Sequence, residues 1–122
     1  MIGDVLLVDT NVLIHHWNQD IRTTAILGDV KVHISFVSEI EILGYHGYSA
    51  RERTLVVNDL GLIKVVDMSP IIKSVAIDYM VRYRLKLADA IIASTAKTMS
   101  LPLLTEDQHF KKLKDEIQLQ ML

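Results

Sequence analysis

The sequence contains no cysteine, which excludes disulfide bonds, thiol nucleophiles and cysteine-ligated metal sites. No apolar run approaches the roughly 18 residues needed to cross a membrane. There is also no linker rich in Gly, Ser or Pro, no Gly-rich phosphate loop and no Gly-x-Ser-x-Gly motif. Residues 1–4 carry an acid where a signal peptide would need positive charge. These absences predict a cytoplasmic protein without a membrane segment.

The composition is that of a folded globular protein. Its 122 residues suffice for one compact domain, so we expect residues 1–122 to form a single domain. Hydrophobic residues make up 50% of the chain and occur along its whole length. The net charge of −2 is unlike the basic footprint of most nucleic-acid binders. There is a local group of basic residues at Arg82, Arg84 and Lys86. These residues either contact phosphates or are simply solvent-exposed charges at a helix end, and the sequence leaves both interpretations open.

Short apolar runs alternate with segments of helical periodicity, which is the pattern of an α/β domain with a largely parallel sheet. The first run is almost purely apolar, as expected of a strand that is covered on both faces. Strands are predicted at residues 4–9, 32–35, 62–66 and 102–104, with a last one around 117–121. Helices are predicted at about 11–17 and 21–27, from near Ser38 to the 44–47 region, and at about 50–60, 69–83 and 87–99, with a helical turn after Thr105.

Three acidic residues follow predicted strands or begin predicted helices, and each has an ordinary structural explanation. Asp9 ends the first strand and is placed to cap the next helix. Ser38 and Glu41 have the spacing of a capping box. Residues 105–108 have it too, with Asp107 in the first turn, where the helix dipole favours an acid.

Asp89 is harder to explain by local structure. On its predicted helix it shares one face with Ile92, Ala93 and Ala96, at spacings of three, four and seven residues. The stripe that should face the core therefore begins with a carboxylate. Since a buried charge is costly unless it is paired or bound to metal, Asp89 is predicted to have a functional or metal-linked role.

These four acids are predicted to meet at one edge of the sheet. In an open parallel α/β sheet, the carboxyl ends of the strands and the amino ends of the helices share an edge, and ligands bind there. Clustered carboxylates repel one another, and a divalent cation offsets that repulsion. Mg²⁺ and Mn²⁺ prefer oxygen ligands, so the pattern predicts a metal site. Asp67 also ends a strand before a helix, so topology alone nominates it as a further member.

Other polar residues are expected to lie outside the cluster. Glu39 and Glu106 neighbour the chosen acids in sequence, but the alternation of side chains should turn them elsewhere. A catalytic role is not indicated for His15 and His16, which lie near the end of the first predicted helix, where a partly exposed histidine is ordinary. His33 and His46 have no ligand spacing between them.

Four stretches of the chain resemble, in order, the motifs of the PIN-domain family. Residues 7–14 (Leu-Val-Asp-Thr-Asn-Val-Leu-Ile) resemble its opening motif. Residues 38–44 are similar to the second motif, with Glu41 in the acidic position. Residues 87–93 match the third and residues 104–107 the fourth. Together they cover almost the whole chain, and four motifs in order are specific where one would be weak.

The resemblance implies a PIN-like three-layer α/β/α sandwich with a central, mainly parallel sheet of about four to five strands. Within the family, the short chain resembles VapC-type toxins of toxin–antitoxin pairs. This implies an endoribonuclease that depends on Mg²⁺ or Mn²⁺, forms a homodimer and is inhibited by a cognate antitoxin protein. By matching position, the catalytic and metal-binding acids would be Asp9, Glu41, Asp89 and Asp107, and the supporting polar residues Thr10, Asn11 and Thr105.

Two other functions fit part of the pattern. Asp9 at a strand end could act as the nucleophile of a phosphotransferase. Such enzymes often place a second Asp two residues later, where this chain has Asn11. A PIN module that binds RNA or protein without cleaving is the other alternative. The complete acid set argues against it, because clustered carboxylates without a metal would lower stability.

Overall fold

Five short strands form one parallel sheet in the computed structural model, which describes residues 5–122. The strands are β1 (Val5–Val8), β2 (Lys31–Ser35), β3 (Lys64–Val66), β4 (Leu103–Thr105) and β5 (Leu119–Met121). Their order across the sheet is β3-β2-β1-β4-β5. The helices are α1 (Thr10–Trp17), α2 (Ile21–Leu27), α3 (Phe36–Leu43), α4 (Ala50–Leu60), α5 (Pro70–Tyr83) and α6 (Leu87–Met99), followed by a 3₁₀ helix (Gln108–Leu113).

The sheet separates two hydrophobic cores, and β1 contributes to both. Leu7 packs with residues of α5, α6 and the 3₁₀ helix, whereas Leu6 and Val8 pack on the opposite face with residues of α1, α2 and α4. All three side chains are buried. This accounts for the continuous apolar run in the sequence, because a strand covered on both faces has no polar side. The architecture is the predicted α/β/α sandwich.

Most predicted elements are confirmed, with boundaries that move by one or two residues. Ser69 caps α5 through its side chain, and Pro70 occupies the first turn, as expected. The last predicted strand is β5, which pairs with β4 at the edge of the sheet. The strand predicted at residues 62–66 begins only at Lys64. The predicted start of the first strand, Asp4, lies outside the described residues.

The prediction that a helix begins near Ser38 with a capping box is wrong. Helix α3 begins at Phe36, and its cap is Ser35, whose hydroxyl accepts from the Val37 amide at 3.2 Å. Ser38 is therefore buried inside the helix. Glu41 lies in the second turn, where it cannot serve as a capping residue, so its structural explanation is lost.

No helix within residues 5–122 is both long enough and apolar enough to cross a membrane.

Replacing Tyr79 with phenylalanine should leave the protein at least as stable as the wild type. The Tyr79 ring is buried between α5 and its neighbours, and its hydroxyl has no hydrogen-bond partner among residues 5–122. Burial also raises the pKa of Tyr79 to about 12, because the phenolate is poorly solvated there. Removing an unpaired buried hydroxyl avoids a desolvation cost of about 1 kcal/mol. Urea unfolding would measure the gain, and a clear loss of stability would show that the hydroxyl has a partner.

Candidate active site

The four predicted acids are carried by different elements that converge at the carboxyl edge of the sheet. Asp9 directly follows β1, and Asp107 follows β4 by two residues. Asp89 lies in the first turn of α6, and Glu41 lies on α3. Strands β1 and β4 are neighbours at the point where the strand order reverses, since β2 and β3 extend to one side and β5 to the other. Ligands of such sheets bind at this switch point.

Asp9 is buried and has a hydrogen bond at each carboxylate oxygen. Its Oδ1 accepts from the Val12 amide at 2.9 Å, so it caps α1 as predicted. Its Oδ2 accepts from the Thr105 hydroxyl at the end of β4. Burial raises the pKa of Asp9, and these two hydrogen bonds oppose that rise. The cap therefore fixes the carboxylate in place without excluding a second role at the sheet edge.

Thr105 connects Asp9 to Asp107. Its hydroxyl oxygen donates to Asp9 and accepts from the Asp107 amide at 3.0 Å. The Asp107 carboxylate accepts from the His109 amide at 2.9 Å and caps the 3₁₀ helix. The predicted capping box between Thr105 and Gln108 is therefore wrong, because the cap is Asp107 itself. One hydroxyl thus sets the positions of two acids from adjacent strands.

Asp89, Asp107 and His109 form a group whose ligand atoms lie within 4.8 Å of one another. Asp89 is half-buried, and burial is the main cause that raises its pKa. The charge of Asp107 raises that pKa further, His109 opposes it, and the charges of Asp9 and Glu41 add smaller contributions. All four predicted acids therefore lie close enough to interact electrostatically.

Glu41 is positioned by a chain of hydroxyl groups. Its Oε1 lies 2.6 Å from the Thr10 hydroxyl, which lies 2.9 Å from the hydroxyl of Ser38. Because a carboxylate only accepts and Thr10 has a single proton, Thr10 donates to Glu41 and the buried Ser38 donates to Thr10. The interaction joins the start of α1 to α3.

The remaining polar residues differ in their placement. Asn11 is exposed in the first turn of α1, and its side chain forms no hydrogen bond with residues 5–122. Asp67 is exposed beyond β3, which is separated from β1 by β2. Glu106 points away from the cluster, to His15 at 2.7 Å and Arg22 at 3.4 Å. The sequence prediction that Glu106 turns elsewhere is thus confirmed.

Two residues of the arrangement were missed by sequence reasoning. His109 belongs to the acid group, and Ser38 supports Thr10. The sequence does contain a signal for His109, since it lies two residues after Asp107 in a segment that must turn. The sequence pattern predicts Ser38 as a helix cap, and its burial is understood only when Ser35 is identified as the cap.

Together these groups have the chemistry of a divalent-cation site. Carboxylate oxygens are the ligands that Mg²⁺ and Mn²⁺ prefer, and imidazole is a common ligand of transition metals. Burial raises the pKa of Asp9 and of Asp89, so each negative charge needs compensation where it lies. A cation would supply that compensation.

Comparisons with known proteins identify the family and the fold of the chain. The family model described as the PIN domain matches residues 6–116. Among solved structures, a toxin–antitoxin complex from Klebsiella pneumoniae is similar, with 27% identity over 86% of this chain and 89% of that chain and a TM-score of 0.76. FitAcB from Neisseria gonorrhoeae is similar in fold, with 20% identity, 93% and 95% coverage and a TM-score of 0.77. VapBC-1 from nontypeable Haemophilus influenzae has 18% identity, 96% and 97% coverage and a TM-score of 0.77. No curated protein matches the chain by sequence.

Proposed function

The chain belongs to the PIN domain family, as the match over residues 6–116 shows, and from this we propose that it is a metal-dependent endoribonuclease, the toxin of a toxin–antitoxin pair. PIN domains of this kind are generally nucleases. The observation that carries the proposal is the convergence of Asp9, Glu41, Asp89 and Asp107 at the switch point of the sheet.

The residues present fit a divalent cation. Asp89, Asp107 and His109 offer ligand atoms within 4.8 Å of one another, and Asp9 adds a carboxylate fixed by Thr105. We propose that Asp9, Asp89 and Asp107 hold Mg²⁺ or Mn²⁺, with Glu41 beside them. A bound ion of this type lowers the pKa of water and offsets negative charge on a phosphodiester.

The chain's own residues prepare the site for hydrolysis. The Val12 amide and the Thr105 hydroxyl hold the Asp9 carboxylate in one orientation. Thr10 does the same for Glu41, which leaves the other oxygen of that exposed carboxylate free to accept a proton from water. General-base assistance by Glu41 is therefore part of the proposal.

RNA cleavage by the purified protein tests the function directly. A labelled cellular RNA pool should be cut in Mg²⁺ or Mn²⁺ and left intact in EDTA. Asp9→Asn should remove cleavage, while Asp67→Asn, which changes an exposed strand-end acid outside the cluster, should not. Metal binding without cleavage by folded, inhibitor-free protein would favour the non-catalytic module. Cleavage that persists in EDTA would contradict the proposal.

His109→Ala should weaken Mn²⁺ binding more than Mg²⁺ binding. Imidazole is a better ligand for Mn²⁺ than for Mg²⁺, whereas carboxylates serve both ions. The His109 Nδ1 lies 3.0 Å from an Asp107 oxygen, so the ring is already at the acid group. Calorimetric titration would measure both affinities, and we expect a decrease of about tenfold for Mn²⁺. Equal decreases for the two ions would show that His109 only positions Asp107.

A protein antitoxin is the proposed partner. The similar structure from Klebsiella pneumoniae is a toxin–antitoxin complex. In this chain, a groove of about 450 Å³ begins at Glu41 and is lined by aromatic side chains, among them Trp17 and Tyr45. Glu52 and Asp59 also line it. An apolar antitoxin segment with a basic residue directed at the acids would complement both features.

A homodimer is also proposed, through an exposed apolar stripe on α5 and α6. Ile77 and Val81 lie one turn apart and are 57% and 74% exposed, and Leu87 is 62% exposed. Val81→Glu should therefore convert a dimer to a monomer, because it buries a charge in the interface. Light scattering after gel filtration would measure the mass, with Leu62→Glu, on the loop before β3, as the control. A dimer that persists in Val81→Glu would place the interface elsewhere.

A further inference from the structure

A small cavity with basic walls adjoins the acid cluster. Its volume is about 110 Å³, and its charged lining consists of Arg84, Lys86, Lys112, His109 and Asp89. Arg84 lies at the carboxyl end of α5, Lys86 directly precedes α6, and Lys112 lies on the 3₁₀ helix. Three separate elements thus bring cations to one point. Asp89 belongs both to this cavity and to the group with Asp107.

The three cations differ from the neighbouring Arg82 in the ion pairs they form. Arg82 forms ion pairs with Asp78 at 2.6 Å and Glu116 at 2.7 Å. No ion pair within residues 5–122 involves Arg84, Lys86 or Lys112. Of the basic residues singled out in the sequence, Arg82 is thus committed to a structural network and the other two are not.

Lys112 has one weak contact, at 3.4 Å to the main-chain oxygen of Tyr83, which carries no net charge. If the cations served only as counter-charges for the acid cluster, they would be expected in contact with its carboxylates. Instead they line a cavity that is large enough for a small polar group.

The charge in the cavity favours an anion. Three basic side chains, those of Arg84, Lys86 and Lys112, line the cavity, and one carboxylate, Asp89, opposes them. A cation bound at Asp89 would offset that carboxylate. A guanidinium matches the geometry of a phosphate with two parallel hydrogen bonds, and ammonium groups add point charges beside it. The cavity therefore fits a phosphate group better than a neutral ligand.

We propose that Arg84, Lys86 and Lys112 form a subsite that binds a backbone phosphate of the RNA next to the phosphate at the acid cluster. The inference depends on the proposed function for the identity of its ligand. Because Asp89 lines both the cavity and the acid group, the two sites are adjacent, and one RNA strand can occupy both. The subsite would align the strand and would favour substrates longer than a dinucleotide.

A charge-matched pair of variants tests the subsite. Lys86→Gln/Lys112→Gln removes two cations from the cavity. Lys111→Gln/Lys114→Gln removes two exposed cations from the same region of the chain that do not line it. The first pair should lower kcat/KM about tenfold on a hexaribonucleotide and leave it unchanged on a diribonucleoside monophosphate, which has only the reacting phosphate. The control pair should change neither value.

RNA affinity, measured in EDTA by fluorescence anisotropy, separates this inference from the proposed function. The Lys86→Gln/Lys112→Gln variant should bind the hexaribonucleotide about tenfold more weakly than the wild type. The slope of its log affinity against log salt concentration should be smaller by about 0.7. That result, with no cleavage by the wild type, would support the subsite and contradict the nuclease. If the wild type cleaves RNA but the Lys86→Gln/Lys112→Gln variant and the control variant bind the hexaribonucleotide equally well, the subsite alone would be overturned.

Two competitors identify the ligand. Inorganic phosphate or a hexaglutamate peptide should displace the RNA only at concentrations far above that of the RNA itself. Displacement by phosphate at equal concentration would indicate a site for free phosphate. Displacement by the peptide at equal concentration would indicate a docking site for an acidic protein segment. Either result would overturn the assignment to RNA.

Discussion

Asp89→Asn should lower RNA cleavage by at least about 100-fold and at the same time make the metal-free protein more stable. The activity is lost because a neutral amide is a poorer metal ligand than a carboxylate. Stability is gained because Asp89 lies among other acids, with ligand atoms of Asp89 and Asp107 within 4.8 Å. At that separation two unit charges repel by about 3 kcal/mol at an effective dielectric of 20. Since Asp89 is half exposed, solvent should reduce the gain to about 1 kcal/mol.

The stability that Asp89→Asn gains over the wild type should increase as the pH rises. The pKa of Asp89 is raised in the folded protein, so the folded state holds its proton to higher pH than the unfolded state does. Below the ordinary carboxyl pKa of about 4 both states are protonated, and the variant should have no advantage. As pH rises through the raised pKa, the wild type acquires the unfavourable charge and the advantage of Asp89→Asn should grow. Urea unfolding of both proteins between pH 3.5 and 7.5, without metal, would measure this difference.

With bound metal, the wild type should become more stable than Asp89→Asn. An ion that binds only the folded state at about 100 times its Kd stabilises it by about 2.7 kcal/mol. The wild type should gain this stabilisation from Mn²⁺, and Asp89→Asn should gain little of it. Asp67→Asn should behave like the wild type in both tests, because Asp67 is exposed beyond β3. An Asp89→Asn protein less stable than the wild type without metal would contradict the account of an uncompensated acid cluster.

Thr105→Val should lower kcat/KM by about 10- to 100-fold although Thr105 offers no charge to the reaction. Its hydroxyl donates to Asp9 and accepts from the Asp107 amide, so valine removes one support from each acid. Groups that orient metal ligands typically contribute this much to affinity or activity. Stability should also fall, by about 1–3 kcal/mol, because a buried carboxylate oxygen of Asp9 loses its partner.

Two controls separate positioning from a general loss of packing. Thr105→Ser keeps the hydroxyl and should retain most of the activity. Thr95→Val removes a buried hydroxyl that donates to the Ile91 carbonyl at 2.7 Å within α6, so it should affect stability and leave Mn²⁺ affinity unchanged. Thr105→Val should weaken Mn²⁺ binding in calorimetry. Unchanged Mn²⁺ affinity and kcat/KM in Thr105→Val would show that Asp9 does not need this support.

Much of the fold follows from patterns that short stretches of sequence carry. The apolar run of β1 predicts a strand covered on both faces, and Leu7 packs on one side while Leu6 and Val8 pack on the other. Ser69-Pro70 predicts the start of α5. Such patterns succeed because caps and periodicity are local, and a buried strand needs no information from distant residues.

The candidate site could be located from sequence, but its connections could not. Parallel topology predicts that Asp9 and Asp107 share an edge. Sequence alone does not show that Thr105 joins them. That contact depends on the pairing of β1 with β4, which brings together residues 96 positions apart. The sequence pattern predicts Ser38 as the cap of α3, but Ser35 lies only three residues earlier and fits a cap equally well, and it is Ser35 that caps the helix.

The basic residues show a similar limit. Sequence spacing predicts that Arg82, Arg84 and Lys86 lie near a helix end, and they do. It does not show that Arg82 is held by Glu116, because that contact spans 34 residues. Lys112 joins the cavity only through the fold of the 3₁₀ helix. Which cations are free to meet a ligand therefore depends on tertiary contacts.

Anomalous diffraction at the manganese edge, from crystals grown with Mn²⁺, tests the central claim most directly. The account predicts a strong peak at the carboxyl edge of β1 and β4, with oxygens of Asp9, Asp89 and Asp107 about 2.0–2.3 Å or one water molecule away. Crystals of Asp89→Asn under the same conditions should lack it. A wild-type map with no peak at these acids, or with its only peak elsewhere, would contradict the claim that they form the metal site.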